Sequence, residues 1–168
     1  MLKAVEFDKL SIDITETSEE VIYRFVGDVD ESFRQKDVPR IKKKKITFVL
    51  EQINNFNSCG IREWIYLVRD ISDIGSLRFV QCSVTMIDQI NMVPDSLGKG
   101  AVESFYAPYY CECGGEVSRL IHVADSQLDL QMRQAPSFKC ESCGRNLEFD
   151  ALEESYFLFT GGEMQRAS

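Results

Sequence analysis

Ile46-Thr47-Phe48-Val49-Leu50-Glu51-Gln52-Ile53-Asn54-Asn55-Phe56-Asn57-Ser58-Cys59-Gly60-Ile61 is the stretch where the chain changes its hydrophobic period. Residues 46–50 form a compact run of β-formers, suited to a central strand covered on both faces. From Gly60 onward Ile61, Trp64, Ile65, Val68 and Ile71 recur at helical spacing, while Arg62, Glu63, Arg69, Asp70 and Asp73 face elsewhere. A strand running through a small-residue turn into an amphipathic helix is the signature of an α/β layer.

The neighbouring segments fit that frame. Leu10–Thr15 and Val21–Phe25 alternate as half-buried strands joined by the polar turn Glu16–Glu20. Residues 28–36 are polar and predict a short helix ending before Pro39. Gly75 is a natural helix stop, Leu77–Cys82 returns to strand, and Ser83 caps a second short helix carrying Val84, Ile87 and Ile90, which ends before Pro94. Residues 95–100 read as a loop and Val102–Tyr110 as an aromatic-rich strand. Further on, 116–123 alternates, 124–137 is polar and loop-like, and 146–149 and 152–159 form a short closing pair. The expected body is a mixed sheet with helices packed on one face.

The last third carries a different signal. Cys111-Glu112-Cys113-Gly114-Gly115 and Cys140-Glu141-Ser142-Cys143-Gly144 are two cysteine–glycine turns. Four thiolates complete a tetrahedral zinc shell, and the glycines allow backbone N–H groups to turn towards the sulfurs. The 26 residues between Cys113 and Cys140 suffice for a strand, a loop and a returning strand, the layout of a zinc-ribbon-like element. The first pair has one intervening residue instead of two, so free thiols are the competing reading. With Cys111, Cys113, Cys140 and Cys143 all engaged the shell is closed, which predicts a structural zinc and not a catalytic one. Two units follow: an α/β domain over residues 1–104 and the ribbon-like element over 105–168.

Charge narrows the function. The net charge is −8, and residues 101–168 supply six of those charges, with 5 Lys and Arg against 11 Asp and Glu. Nucleic-acid binding draws on basic side chains to neutralise phosphates, so an adaptor contacting nucleic acid or the transcription machinery through this tail is disfavoured. No apolar run approaches the roughly 20 residues of a membrane span. Acidic residues arrive too early after Met1 for a secretory segment, so a cytoplasmic protein with its six cysteines reduced is expected. Cys59 and Cys82 read as small buried residues, and His122 as a surface strand residue. The lysines at 42–45 read as a solvated turn, with a docking patch for an acidic partner as the alternative. Phe105, Tyr106, Tyr109 and Tyr110 would pack between the two units more readily than serve as a stacking platform.

The junction at Ser58 lies at a helix N-terminus, where free N–H groups and the helix dipole favour oxygen or an anion. The bland reading makes Ser58 the helix cap. At this junction the sequence resembles the STAS family, whose founding members are bacterial anti-sigma-factor antagonists. Family members carry a strand patterned Leu-x-x-Val-x-x-Ile and then Asp-Ser-Ser-Gly-Leu at the helix start. Here Leu50, Ile53 and Phe56 take the strand positions and Asn57-Ser58-Cys59-Gly60-Ile61 the loop. The resemblance extends over about residues 8–110. It implies that Ser58 is the serine phosphorylated by a partner serine kinase, itself an anti-sigma factor, with Cys59 the next small residue and Gly60 the helix-opening glycine. Asn57 departs from the family's aspartate, and Val49 stands where an acidic residue is frequent.

The expectation is therefore a non-enzymatic bacterial signalling protein that binds a partner through the Ser58 loop and is switched by serine phosphorylation. The alternatives are a zinc-ribbon adaptor and a structural scaffold in which the ribbon joins a homodimer. An enzyme is disfavoured, since the sequence shows no phosphate loop, catalytic triad or open metal site.

Overall fold

The computed structural model describes residues 2–160. The outer ends of the two expected units, Met1 and residues 161–168, lie outside the described residues. The described chain is a mixed α/β structure with a six-stranded sheet, a second antiparallel sheet and four α-helices. No helix of the described residues is long and apolar enough to cross a membrane.

The six strands lie in chain order: β1 (Leu2–Glu6), β2 (Leu10–Glu16), β3 (Glu20–Val29), β4 (Lys45–Phe56), β5 (Ser76–Val80) and β6 (Ala101–Val102). β1, β2 and β3 form an antiparallel meander, and β3 to β6 are parallel. α1 (Ser58–Ile74) joins β4 to β5, and α2 (Val84–Met92) joins β5 to β6. Each parallel step moves to the next neighbour in the same direction. Right-handed crossovers that all advance the same way place their helices on one face.

That face is aromatic. Trp64 of α1 is fully buried and meets the rings of Phe25, Phe48, Phe56 and Phe79, and its indole N–H donates to the Ser96 carbonyl at 2.9 Å. Leu67, Val68 and Ile71 complete the buried stripe. Ile61 and Ile65, expected on it, are half-buried at its margin, and Leu67 takes the central place. Burying side chains of this size contributes about 1.5–3 kcal/mol each. On the opposite sheet face, a groove is lined by Ile22, Thr47, Val49, Arg78 and Val80 together with His122 and Gln127, and by no residue of α1 or α2. Arg78 donates to Glu20 at 2.6 Å, to Thr47 at 2.9 Å and to Glu103 at 3.3 Å, a network that ties three strands together across that face.

Beyond Glu103 the chain leaves the first sheet and enters the second. β7 (Ser104–Cys111) pairs with β8 (Gly115–His122) on one side and β9 (Glu148–Phe149) on the other. α3 (Gln127–Gln131) and α4 (Glu153–Tyr156) belong to this region. One continuous cluster of buried residues runs through both sheets, linked by Phe105 against Tyr156, Phe157 and Phe159. Phe105 and Tyr109 are buried as the aromatic grouping requires, whereas Tyr110 remains 40% exposed. Asn91 of α2 donates to the Tyr156 carbonyl at 2.8 Å and accepts from the Phe159 N–H at 3.0 Å, which docks the closing segment on α2.

Several expectations are corrected. Residues 28–36 are not a helix: Asp28 and Val29 extend β3, paired with Asn55 and Phe56, and only Gln35–Asp37 makes a 3₁₀ turn. Phe33 is fully buried there against Phe7, so the polar turn that follows Val29 is anchored by an apolar side chain. The loop expected at 124–137 contains α3, whose Leu130 is buried. β1 is an additional strand at the sheet edge.

Candidate functional site

The four knuckle cysteines are brought together. Cys111 ends β7 and Cys113 sits in the tight turn to β8, while Cys140 and Cys143 occupy a turn stabilised by the Gly144 N–H donating to the Cys140 carbonyl at 2.9 Å. Gly144 has φ +74°, a backbone region that a side chain disfavours. The Sγ atoms of Cys111 and Cys113 are 3.4 Å apart. Those of Cys111 and Cys143 are 3.5 Å apart, as are those of Cys113 and Cys140, and all four lie within 4.8 Å of one another. A tetrahedral metal with bonds of about 2.3 Å to sulfur requires edges of about 3.8 Å. The four residues fit a metal ion on both chemistry and spacing.

Electrostatics point the same way. The N–H groups of Cys143 and Ser142, followed by the Cys113 thiol, hold the Cys140 thiol down to about 6. The sulfurs of Cys111, Cys143 and Cys140 push the Cys113 thiol up to about 12. Four sulfurs this close cannot all carry negative charge without a cation between them, so a divalent ion resolves the conflict.

Around the cysteines stands a brace that sequence reading missed. Arg145 of the second turn donates to Glu112 of the first at 3.0 Å. Arg119 of β8 donates to Glu141 at 2.9 Å and to the Lys139 carbonyl at 3.2 Å, and its guanidinium lies 6.0 Å from the Phe138 ring centroid. Each turn is thus tied to an element outside itself. No local pattern announces such pairs, because their members lie 20 or more residues apart.

Asn57, Ser58, Cys59 and Gly60 sit together at the head of α1, after the C-terminal end of β4. Asn57, not Ser58, is the N-cap: its side-chain oxygen accepts the Gly60 N–H at 2.9 Å, and Ser58 is the first helical residue. The Ser58 side chain is therefore released from the capping role and is exposed. Cys59 is exposed as well, contrary to expectation, because it lies on the solvent side of the first turn while Gly60 takes the buried position. Gly60 packs so tightly on the Val29 carbonyl that a side chain would not fit.

The strand–helix loop is further pinned by the Asn57 N–H donating to the Val29 carbonyl at 3.2 Å and by the Asn57 amide donating to Glu31. Asn57 is thus joined at the helix head by a carboxylate brought in from the preceding turn. That turn is itself ordered by Asp30, which accepts from the Ser32 N–H and hydroxyl at 2.9 and 2.6 Å and pairs with Lys9 at 3.3 Å.

No protein-family model matches this chain, and no curated protein matches it significantly. The case for function therefore rests on the residues themselves. Cys82 is fully buried, and burial pushes its thiol far up, so it is inert packing. His122 is exposed on β8, and among the described residues the four cysteines are the one group arranged to hold a metal ion.

Proposed function

We propose that this chain is a non-enzymatic signalling protein of the STAS type that docks a protein partner at the Ser58 loop and is switched by phosphorylation of Ser58. The observation that carries the reading is an exposed hydroxyl on the first residue of a 17-residue helix whose cap is supplied by another side chain. A phosphoryl group on that hydroxyl sits where the helix dipole and the free N–H groups stabilise negative charge. The loop is held by Asn57, Gly60 and Val29, so the contact surface is formed before a partner arrives, which lowers the ordering cost of association. The resemblance in 50–61 and the order strand, helix, strand, helix, strand from β4 to β6 support the same reading.

In this account the four cysteines hold zinc in a ribbon-like element, and the metal's work is structural. It cross-links two turns that the small second sheet could not hold by burial alone. Incubation with candidate serine kinases and a nucleoside triphosphate, followed by intact-mass measurement, tests the switch. One added phosphoryl group, absent from Ser58→Ala, is expected. Modification that persists in Ser58→Ala removes Ser58 from the account.

A further inference from the structure

α1 carries a second organised stripe, on the side away from the sheet. Since Trp64, Leu67, Val68 and Ile71 face the core, helical geometry places Ser58, Arg62, Tyr66 and Arg69 on the opposite pole. Ser58, Arg62 and Arg69 are exposed, and Tyr66 keeps 43% of its surface open. Every acidic side chain of the helix is occupied elsewhere. Glu63 accepts the Gln35 N–H at 3.0 Å, Asp70 pairs with Arg40 at 2.9 Å, and Asp73 pairs with Lys99 at 2.7 Å. Arg62 and Arg69 make no ion pair within 4.0 Å among the described residues, although Asp95 lines the same surface hollow as Arg69, and Arg69 lies over the Tyr66 ring at 5.5 Å. On a chain of net charge −8, two guanidinium groups outside any ion pair flank an open tyrosine.

We propose that this stripe is the docking surface for an acidic segment of a partner protein, and that phosphorylated Ser58 acts on it by capturing Arg62 within the same helix. The proposal rests on the reading of the Ser58 loop as the contact point and names what the partner presents there. Arginine and tyrosine dominate binding energy in protein interfaces, and a guanidinium takes a carboxylate in a two-point contact. A nucleic acid is the poorer match, because two charges on a strongly acidic protein neutralise too few phosphates.

The switch follows from spacing. Ser58 and Arg62 are four residues apart and so neighbours on the helix surface. The transfer moves the terminal phosphoryl group of a nucleoside triphosphate onto Ser58 Oγ. The bridging bond to the nucleoside diphosphate breaks, and the hydroxyl proton is released. The resulting dianion draws the Arg62 guanidinium to itself and withdraws it from the partner's carboxylates.

The test is a fluorescence-anisotropy titration of the full chain against a labelled helical peptide built of glutamate and leucine. Arg62→Gln combined with Arg69→Gln is expected to weaken binding about tenfold, while the charge-matched control Lys42→Gln with Lys44→Gln changes it less than about twofold. Ser58→Glu is expected to weaken binding in the wild type and to add nothing in Arg62→Gln. A peptide that fails to bind the wild type, or that the control weakens equally, overturns the docking surface. So does an oligonucleotide that binds where the peptide does not. An additive loss from Ser58→Glu in Arg62→Gln overturns the intramolecular capture. If Ser58→Glu weakens binding and the arginine pair does not, the loop reading survives without the stripe. If the arginine pair matters and Ser58→Glu has no effect, the stripe survives without the loop.

Discussion

The α-carbon of Gly60 abuts the backbone carbonyl of Val29. A methyl group at position 60 would overlap that oxygen and approach the Asp30 nitrogen to 2.8 Å. Replacing a helical glycine by alanine ordinarily stabilises by about 1 kcal/mol. Here the sign reverses, because backbone atoms on both sides cannot give way. Gly60→Ala is expected to destabilise by about 2 kcal/mol or more, read from the urea midpoint. A neutral or stabilising result would mean that the helix head is not seated on β3.

The division of labour between Asn57 and Ser58 is separable. Asn57→Ala removes the acceptor for the Gly60 N–H and should cost about 1 kcal/mol of stability. Ser58→Ala should stay within about 0.5 kcal/mol of wild type, since the exposed hydroxyl caps nothing. Equal losses in the two variants would restore Ser58 to a capping role.

Arg119 holds the second cysteine turn through Glu141 and the Lys139 carbonyl. Groups that orient metal ligands in this way commonly change affinity by 10- to 100-fold when removed. Arg119→Met is therefore expected to weaken zinc affinity about 10-fold or more in a chelator competition, with one metal ion per chain in the wild type by elemental analysis. Unchanged affinity would show that the cysteine turns need no brace.

How much of this was legible beforehand depends on where each signal resides. α1 and α2 were readable because their apolar periods are local and their ends are marked by Gly75 and Ser83. The four cysteines were readable because each turn carries its pattern within a few residues. β1 was not, since an edge strand whose residues are mostly exposed has little hydrophobic alternation to display. The length of β4 was hidden by two exposed polar residues, Asn54 at an irregularity in the pairing with β3 and Asn55 opposite Asp28. Cys59 was misread because residue type suggests burial, whereas its place on the helix circumference decides it. The arginine braces and the Glu31 contact depend on long-range approach, which one sequence does not encode visibly.

Acid should loosen the sheet through Glu20. The Thr47 hydroxyl, and after it Arg78, hold the Glu20 carboxyl below its ordinary value near 4.5. A depressed carboxyl stabilises the folded state above the unfolded-state value and loses that contribution as pH falls through the folded-state value. Wild type should thus exceed Glu20→Gln in thermal midpoint at neutral pH, with the difference closing as the solution is acidified below about pH 4. A pH-independent difference between the two proteins would rule out the ionised network.

The central claim is that the head of α1 is a partner contact controlled at Ser58. Quantitative affinity capture with the wild type, Ser58→Asp and the distant surface variant Arg133→Gln, all at matched concentration, tests it most directly. The account predicts a protein retained by wild type and Arg133→Gln and released by Ser58→Asp. Equal retention of every captured protein by all three would contradict it.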